Sequence, residues 1–275
     1  MPDLRHPTPQ TAAASPVCLV VRNLTLGYDG HPAVHHLDMR IAPGSLVAVV
    51  GPNGAGKSTL FKGLCGELAP LSGSISGLEA VRPAWLPQTS TLDPGFPVTV
   101  WEMVAMGLWQ QVGALGRFTA EHRRRCDAAL AAVGLSGFAL RGLDTLSGGQ
   151  LQRARFARLL LQDAPVVLLD EPFAAIDQRT TEDLLALLHR WQAAGRTVIA
   201  VLHDLQQVRA HFPLTLVLAR EPIAWGPTSE VLTEANWSRA LAMREPFDER
   251  AGVCEQAPSA ASAVPGRAIS DLEAV

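Results

Sequence analysis

Residues Gly51 to Thr59 read GPNGAGKST and fit the spacing GxxxxGK[ST]. Gly51, Gly54 and Gly56 permit backbone conformations closed to other residues, so successive N–H groups can turn inward on phosphate oxygens. Pro52, Asn53 and Ala55 complete the loop between them. Lys57 is placed to reach the β- and γ-phosphates of a nucleotide, and the hydroxyl of Ser58 to ligate Mg²⁺, with Thr59 closing the motif. A Gly-rich turn beside an unrelated lysine is the plain alternative. The β-branched run Leu46–Val50 ahead of the loop, and a helix expected from Lys57 to about Leu68, give the strand–loop–helix setting that a phosphate loop needs.

The run VVLLDE, Val166 to Glu171, supplies a complement. Asp170 stands at the end of an apolar strand, where open α/β sheets bind their ligands, and a carboxylate there can hold Mg²⁺ through water. Glu171 beside it is a candidate general base for a water that attacks a triphosphate. A second anion device lies at Ser147-Gly148-Gly149-Gln150, at the start of the helical run LQRARFARLLLQ. Ser147 can cap that helix, and the glycines let an anion approach its free N–H groups. An ordinary helix start is the alternative, but paired glycines cost ~1 kcal/mol each in helix propensity. One nucleotide has no need of two cradles. If the second is carried away from the first, two copies placed head to tail would sandwich each ATP between Gly51–Thr59 of one and Ser147–Gln150 of the other. Tyr28, the only tyrosine, ends the first expected strand, where its ring could stack on a base or simply pack.

Around these groups the sequence places a strand from Val17 to Tyr28 and an antiparallel neighbour across the turn DGHP. Parallel strands are expected at Leu46–Val50, Pro165–Asp170, Thr197–Asp204 and Leu214–Ala219, with a helix at Thr181–Ala194. Strands alternating with helices predict an α/β sheet. From Thr89 to Asp144 the pattern turns helical, at Val100–Gln111 and Ala120–Val133, and reads as an insert spanning about 89–150. Residues 1–16, rich in Pro, Ala and Thr, and the Ala/Ser/Pro-rich stretch 246–275 read as disordered ends of a cassette spanning 17–245.

Taken together the motifs resemble the ATP-binding subunit of an ABC transporter, from about Val17 to Ala242. The set follows the family's order: Tyr28 as the A-loop aromatic, GPNGAGKST as Walker A, Gln88 in WLPQ as the Q-loop, LSGGQ as the signature, VVLLDE as Walker B, Asp177 in AAID as the D-loop, and His203 in VLHD as the switch histidine. The resemblance implies a P-loop NTPase, RecA-like α/β core with an antiparallel β subdomain and an inserted α-helical signature subdomain. It implies that Gln88 contacts Mg²⁺ or the attacking water, that His203 hydrogen-bonds the γ-phosphate, and that Asp177 lies at the interface of a homodimer. It further implies a separate membrane permease, and indirectly a periplasmic or extracellular metal-binding protein. DPGFPVTVWEMVAMGLW and EPFAAID resemble the zinc/manganese importer branch, so the expected cargo is zinc or manganese; iron-chelate and cobalamin importers are the neighbouring branch. A non-transport ABC ATPase would carry a long coiled-coil insertion or tandem cassettes, and this chain has neither.

Composition agrees with that reading. A net charge of −3 gives no support to a nucleic-acid partner, and 48% hydrophobic residues fit a folded chain. No apolar run reaches the ~18–20 residues of a membrane span, so the expected place is the cytoplasmic face of the membrane, held by another protein. The four cysteines form no CxxC pair and read as reduced thiols. His31, His35 and His36 share one segment, and His122 precedes Cys126 by a helical turn, but no four-ligand zinc set assembles.

Overall fold

The computed structural model describes residues 18–88, 97–113, 115–174 and 176–243. The expected disordered ends, and the start of the helical insert, lie outside these residues.

In chain order the elements are β1 (Leu19–Tyr28), β2 (His31–Ile41), β3 (Leu46–Val50), α1 (Lys57–Leu64), β4 (Ser72–Ser76) and β5 (Ala84–Leu86). Then come α2 (Val100–Ala105), α3 (Trp109–Val112), α4 (Ala120–Ala132), α5 (Gly148–Gln162) and β6 (Val166–Asp170). The chain continues with α6 (Gln178–Ala193), β7 (Thr197–Val201), α7 (Leu205–His211), β8 (Leu214–Ala219), β9 (Glu221–Pro227), α8 (Thr228–Val231) and α9 (Glu234–Ala242).

Two sheets organise them. One has the order β2-β1-β4 and is antiparallel, with β1 and β2 joined at Asp29–Gly30. Both turn residues have positive φ, 51 and 79, as a two-residue hairpin turn requires. The other sheet runs β5-β6-β7-β3-β8-β9, parallel throughout except for β9 at its edge. Its central strands are mostly apolar, and β3 wholly so, because both faces are covered. Along β3, Leu46, Ala48 and Val50 enter one core cluster and Val47 and Val49 the other. The first cluster also holds the buried faces of α2, α4, α5 and α6; the second holds α1 and the antiparallel sheet.

The expected helix at Val100–Gln111 is interrupted. A 3₁₀ turn, Met106–Leu108, separates α2 from α3, and a Cβ at Gly107 would lie 2.3 Å from the carbonyl oxygen of Arg158 on α5. Close helix approach therefore fixes a glycine where the chain bends. α1 ends at Leu64, short of the expected Leu68, while α6 starts at Gln178, a turn earlier than expected, because Asp177 caps it.

Candidate nucleotide site

The parallel strands β5, β6, β7 and β3 all deliver their carboxyl ends to one edge of the sheet. Gln88 follows β5, Asp170 and Glu171 end β6, His203 follows β7, and the Gly51 loop follows β3. Val201 pairs with Asp170 on one side and Val49 on the other, which sets the carboxylates and the loop level across β7.

The loop fits only as glycine at two points. A Cβ on Gly51 would lie 1.9 Å from the carbonyl oxygen of Leu218, and Gly56, at φ 88, would meet that of Ala33 at 2.4 Å. Gly54, at φ 80, faces open space instead. Lys57 is buried, and its Nζ donates to the carbonyls of Gly51 and Pro52, both at 2.9 Å. Burial holds its pKa below the usual lysine value, against the pull of Glu171 and Asp170. An ammonium resting on two backbone carbonyls has donors ready for phosphate oxygens and little solvation to give up.

Asp170 is 3% exposed, and its Oδ1 has no hydrogen-bond partner among the described residues. Burial pushes its carboxyl above the ordinary range, partly offset by a hydrogen bond from Ser58; Glu171 raises it further, while Lys57 and His203 lower it. An orphaned carboxylate oxygen beside a serine hydroxyl is a hard, oxygen-only donor pair, the chemistry Mg²⁺ takes. These residues therefore fit that ion.

Glu171 stands at φ 50, in the left-handed region. For a residue with a Cβ this costs on the order of 1–3 kcal/mol and persists where surrounding contacts over-determine it. Its N–H donates to Val201 O (3.2 Å), and its Oε1 lies 2.5 Å from Nε2 of His203. The two groups singled out as base and switch thus touch each other directly.

A buried lysine in a glycine loop, an aspartate with one oxygen orphaned among the described residues, and a strained glutamate against a histidine converge on one sheet edge. Comparison with known proteins matches residues 34–174 to the family described as ABC transporter. The chain is 36% identical over 220 residues to the manganese transport system ATP-binding protein MntB of Listeria monocytogenes, covering 78% of this chain and 92% of that one. It is 37% identical over 238 residues to the zinc transport system ATP-binding protein TroB of Treponema pallidum, covering 84% and 90%. The chain belongs to the ABC transporter family. As an ABC ATPase it binds nucleotide and hydrolyses ATP in support of transport. Solved relatives include cbiO1 from Clostridium perfringens, part of the ABC transporter complex cbiONQ, at 28% identity and TM-score 0.67, covering 82% of this chain and 94% of that one. A dimeric bacterial ABC transporter cassette is 26% identical with TM-score 0.68, covering 76% and 98%.

In this ABC cassette the signature turn is also a sound helix start. Ser147 Oγ accepts from Gln150 N (3.3 Å), and Gln150 Oε1 accepts from Ser147 N (3.1 Å), a reciprocal capping box. The first intrahelical bond is Leu151 N to Ser147 O, so the amides of Gly148 and Gly149 precede the ladder. A Cβ on Gly149 would lie 3.5 Å from Asp177 Oδ2, which puts the signature beside its own chain's D-loop. Asp177 in turn caps α6, accepting from Thr180 N (2.9 Å) and Thr180 Oγ1 (2.8 Å); the first of these bonds does most to hold its carboxyl below the usual range.

Tyr28 is 43% exposed and has Lys62 Nζ 5.3 Å from its ring centroid, which leaves an aromatic surface open at the strand end. Gln88 is exposed two residues beyond β5, at the same sheet edge as Asp170 but without a described bond to it. His122 is committed to the cap of α4, its Nδ1 accepting from Thr119 N at 3.2 Å, while Cys126 is buried.

One residue escaped sequence reasoning. Gln152 is 8% exposed on α5, and its Nε2 donates to Pro172 O at 2.7 Å, one residue past Glu171. The available signal was an amide on the stripe that Phe156 and Leu159 continue at helical spacing, where an apolar side chain is the norm.

Proposed function

We propose that the chain is the ATPase subunit of an importer for a divalent transition metal, zinc in the first place and manganese in the second. It would work as a head-to-tail homodimer on the cytoplasmic face of the membrane. What supports the cargo class is the function of relatives aligned over most of the chain, a manganese system and a zinc system among them. Among the described residues no helix is long and apolar enough to cross a membrane, so the metal would pass through a separate permease, fed by an external metal-binding protein.

The observation that carries the catalytic reading is the contact of Glu171 with His203 beside the buried Asp170. Tyr28 would stack on the base. Residues Gly51, Pro52, Asn53, Gly54, Ala55 and Gly56 would wrap the phosphates with backbone N–H groups, and Lys57 would exchange its carbonyl contacts for phosphate oxygens. Ser58, Asp170 and Gln88 would hold Mg²⁺, which neutralises phosphate charge when bound. Glu171 would orient and deprotonate the attacking water, and His203 would hydrogen-bond the γ-phosphate, releasing Glu171 from their mutual contact. Ser147, Gly148, Gly149 and Gln150 of the second copy would close on the same triphosphate, with Asp177 at the interface. Because only the closed dimer contacts the γ-phosphate from both sides, ATP favours closure and hydrolysis reopens it.

The cargo is tested by metal content. A strain lacking this chain should accumulate less zinc or manganese under starvation for that metal and recover on complementation. Normal accumulation of both would contradict the assignment.

A further inference from the structure

Gln152 has both ends of its buried amide engaged. Nε2 donates to Pro172 O at 2.7 Å, and Oε1 accepts from Arg155 Nη1 at 3.1 Å. The partners fix which way the amide points, because a guanidinium only donates and a backbone carbonyl only accepts. Pro172 is bonded to Glu171, whose left-handed backbone needs external restraint. Two restraints come from nearby in the sheet and the loop: Glu171 N to Val201 O, and Ala174 N to Glu171 O, each 3.2 Å. The bond from Gln152 is different in origin, because it comes from the helix that Ser147 caps.

We propose that Gln152 is a positioning residue that ties the signature turn to the placement of Glu171, and so couples the two nucleotides of the dimer. The inference rests on the sandwich reading above. In that arrangement the Ser147–Gln150 turn of one copy holds the nucleotide seated on the partner's phosphate loop. Glu171 of that same copy serves the nucleotide on its own loop. α5 is one unbroken helix from Gly148 to Gln162, so a shift of its first turn toward a phosphate moves Gln152 with it. The bond to Pro172 passes that shift to the link that aims the Glu171 carboxylate. Closure on one ATP then sets the base at the other. A hydrogen-bonded chain between two sites with one shared rigid element is the physical form such coupling takes.

The test uses the full chain and two variants. Gln152→Glu keeps the size and the acceptor toward Arg155 but sets a carboxylate oxygen against the Pro172 carbonyl. Gln152→Met keeps about the same volume with neither bond, so misfolding of one variant leaves the other to decide. Steady-state ATP hydrolysis is measured across ATP concentration. We expect kcat to fall about tenfold or more, since small misplacements of a reacting group cost that much. The half-saturating ATP concentration should change less than about twofold, and the Hill coefficient should drop from about two toward one. A merely destabilised variant would lose active enzyme in proportion and keep its Hill coefficient; that result overturns the proposal. So does a wild-type Hill coefficient of one, or unchanged kcat in both variants. ATP-driven dimerisation of Glu171→Gln is followed in parallel. If that parent stays monomeric, the sandwich reading falls and takes this inference with it; if it dimerises while the Gln152 variants hydrolyse normally, the coupling role alone is overturned.

Discussion

At the scale of single residues, the site holds groups in states that a folded chain ordinarily avoids. Asp170 is buried with an oxygen that has no partner among the described residues, and Glu171 has a left-handed backbone. Both features make sense as preparation for a ligand and as a cost without one. The Asp170 carboxyl titrates above its unfolded value, with burial as the main cause. Its ionised form therefore destabilises the nucleotide-free fold, and stability returns as pH falls through the raised pKa. Asp170→Asn should melt higher than wild type at neutral pH without nucleotide while losing hydrolysis. The gap in Tm should narrow as pH is lowered from neutral and the wild-type carboxyl takes up its proton. Thermal melts of both forms across that range check the sign; a lower Tm for the asparagine variant at neutral pH would refute it.

At the scale of elements, the signature turn carries two jobs that one substitution can separate. Ser147 caps α5 in a reciprocal box with Gln150, and under the proposed function it also meets a phosphate. Aspartate caps a helix about as well as serine and suits the positive end of the dipole. It also puts a negative charge where a phosphate would sit. Ser147→Asp should keep stability within about 0.5 kcal/mol, yet abolish ATP-driven dimerisation. Melting and size measurements on one sample show both; retained dimerisation would remove Ser147 from the phosphate contacts.

The same scale shows what sequence could and could not reveal. β3, β6, β7 and β8 were legible because each is dominated by an apolar, largely β-branched or leucine run, the mark of a strand covered on both faces. β4 and β9 were not. The first reads SGSIS and forms by pairing with β1; the second reads EPIAWGP and tolerates its prolines because it lies at the sheet edge. The break between α2 and α3 depends on how closely Gly107 approaches α5, a tertiary fact with no local trace. Of the site, Lys57, Ser58, Asp170 and Glu171 announce themselves by spacing from glycines and strand ends, whereas His203 stands out only through the resemblance to the family. The pairing of Glu171 with His203 and the bond from Gln152 to Pro172 arise only when β6, β7 and α5 meet.

At the scale of the whole molecule, the proposal is that one copy is half of a machine. The phosphate loop and its carboxylates gather at one sheet edge, while the signature turn starts α5 next to its own D-loop. In that proposal the signature closes on the ATP of a second chain facing the other way. Removing the base while keeping the binding groups isolates that step. Glu171→Gln is nearly isosteric and should lower hydrolysis at least about 10²-fold, the usual weight of a general base. With Mg²⁺ and ATP it should run in solution as a stable dimer, and with ADP as a monomer. A Glu171→Gln protein that binds ATP yet remains monomeric at every nucleotide concentration would contradict the account.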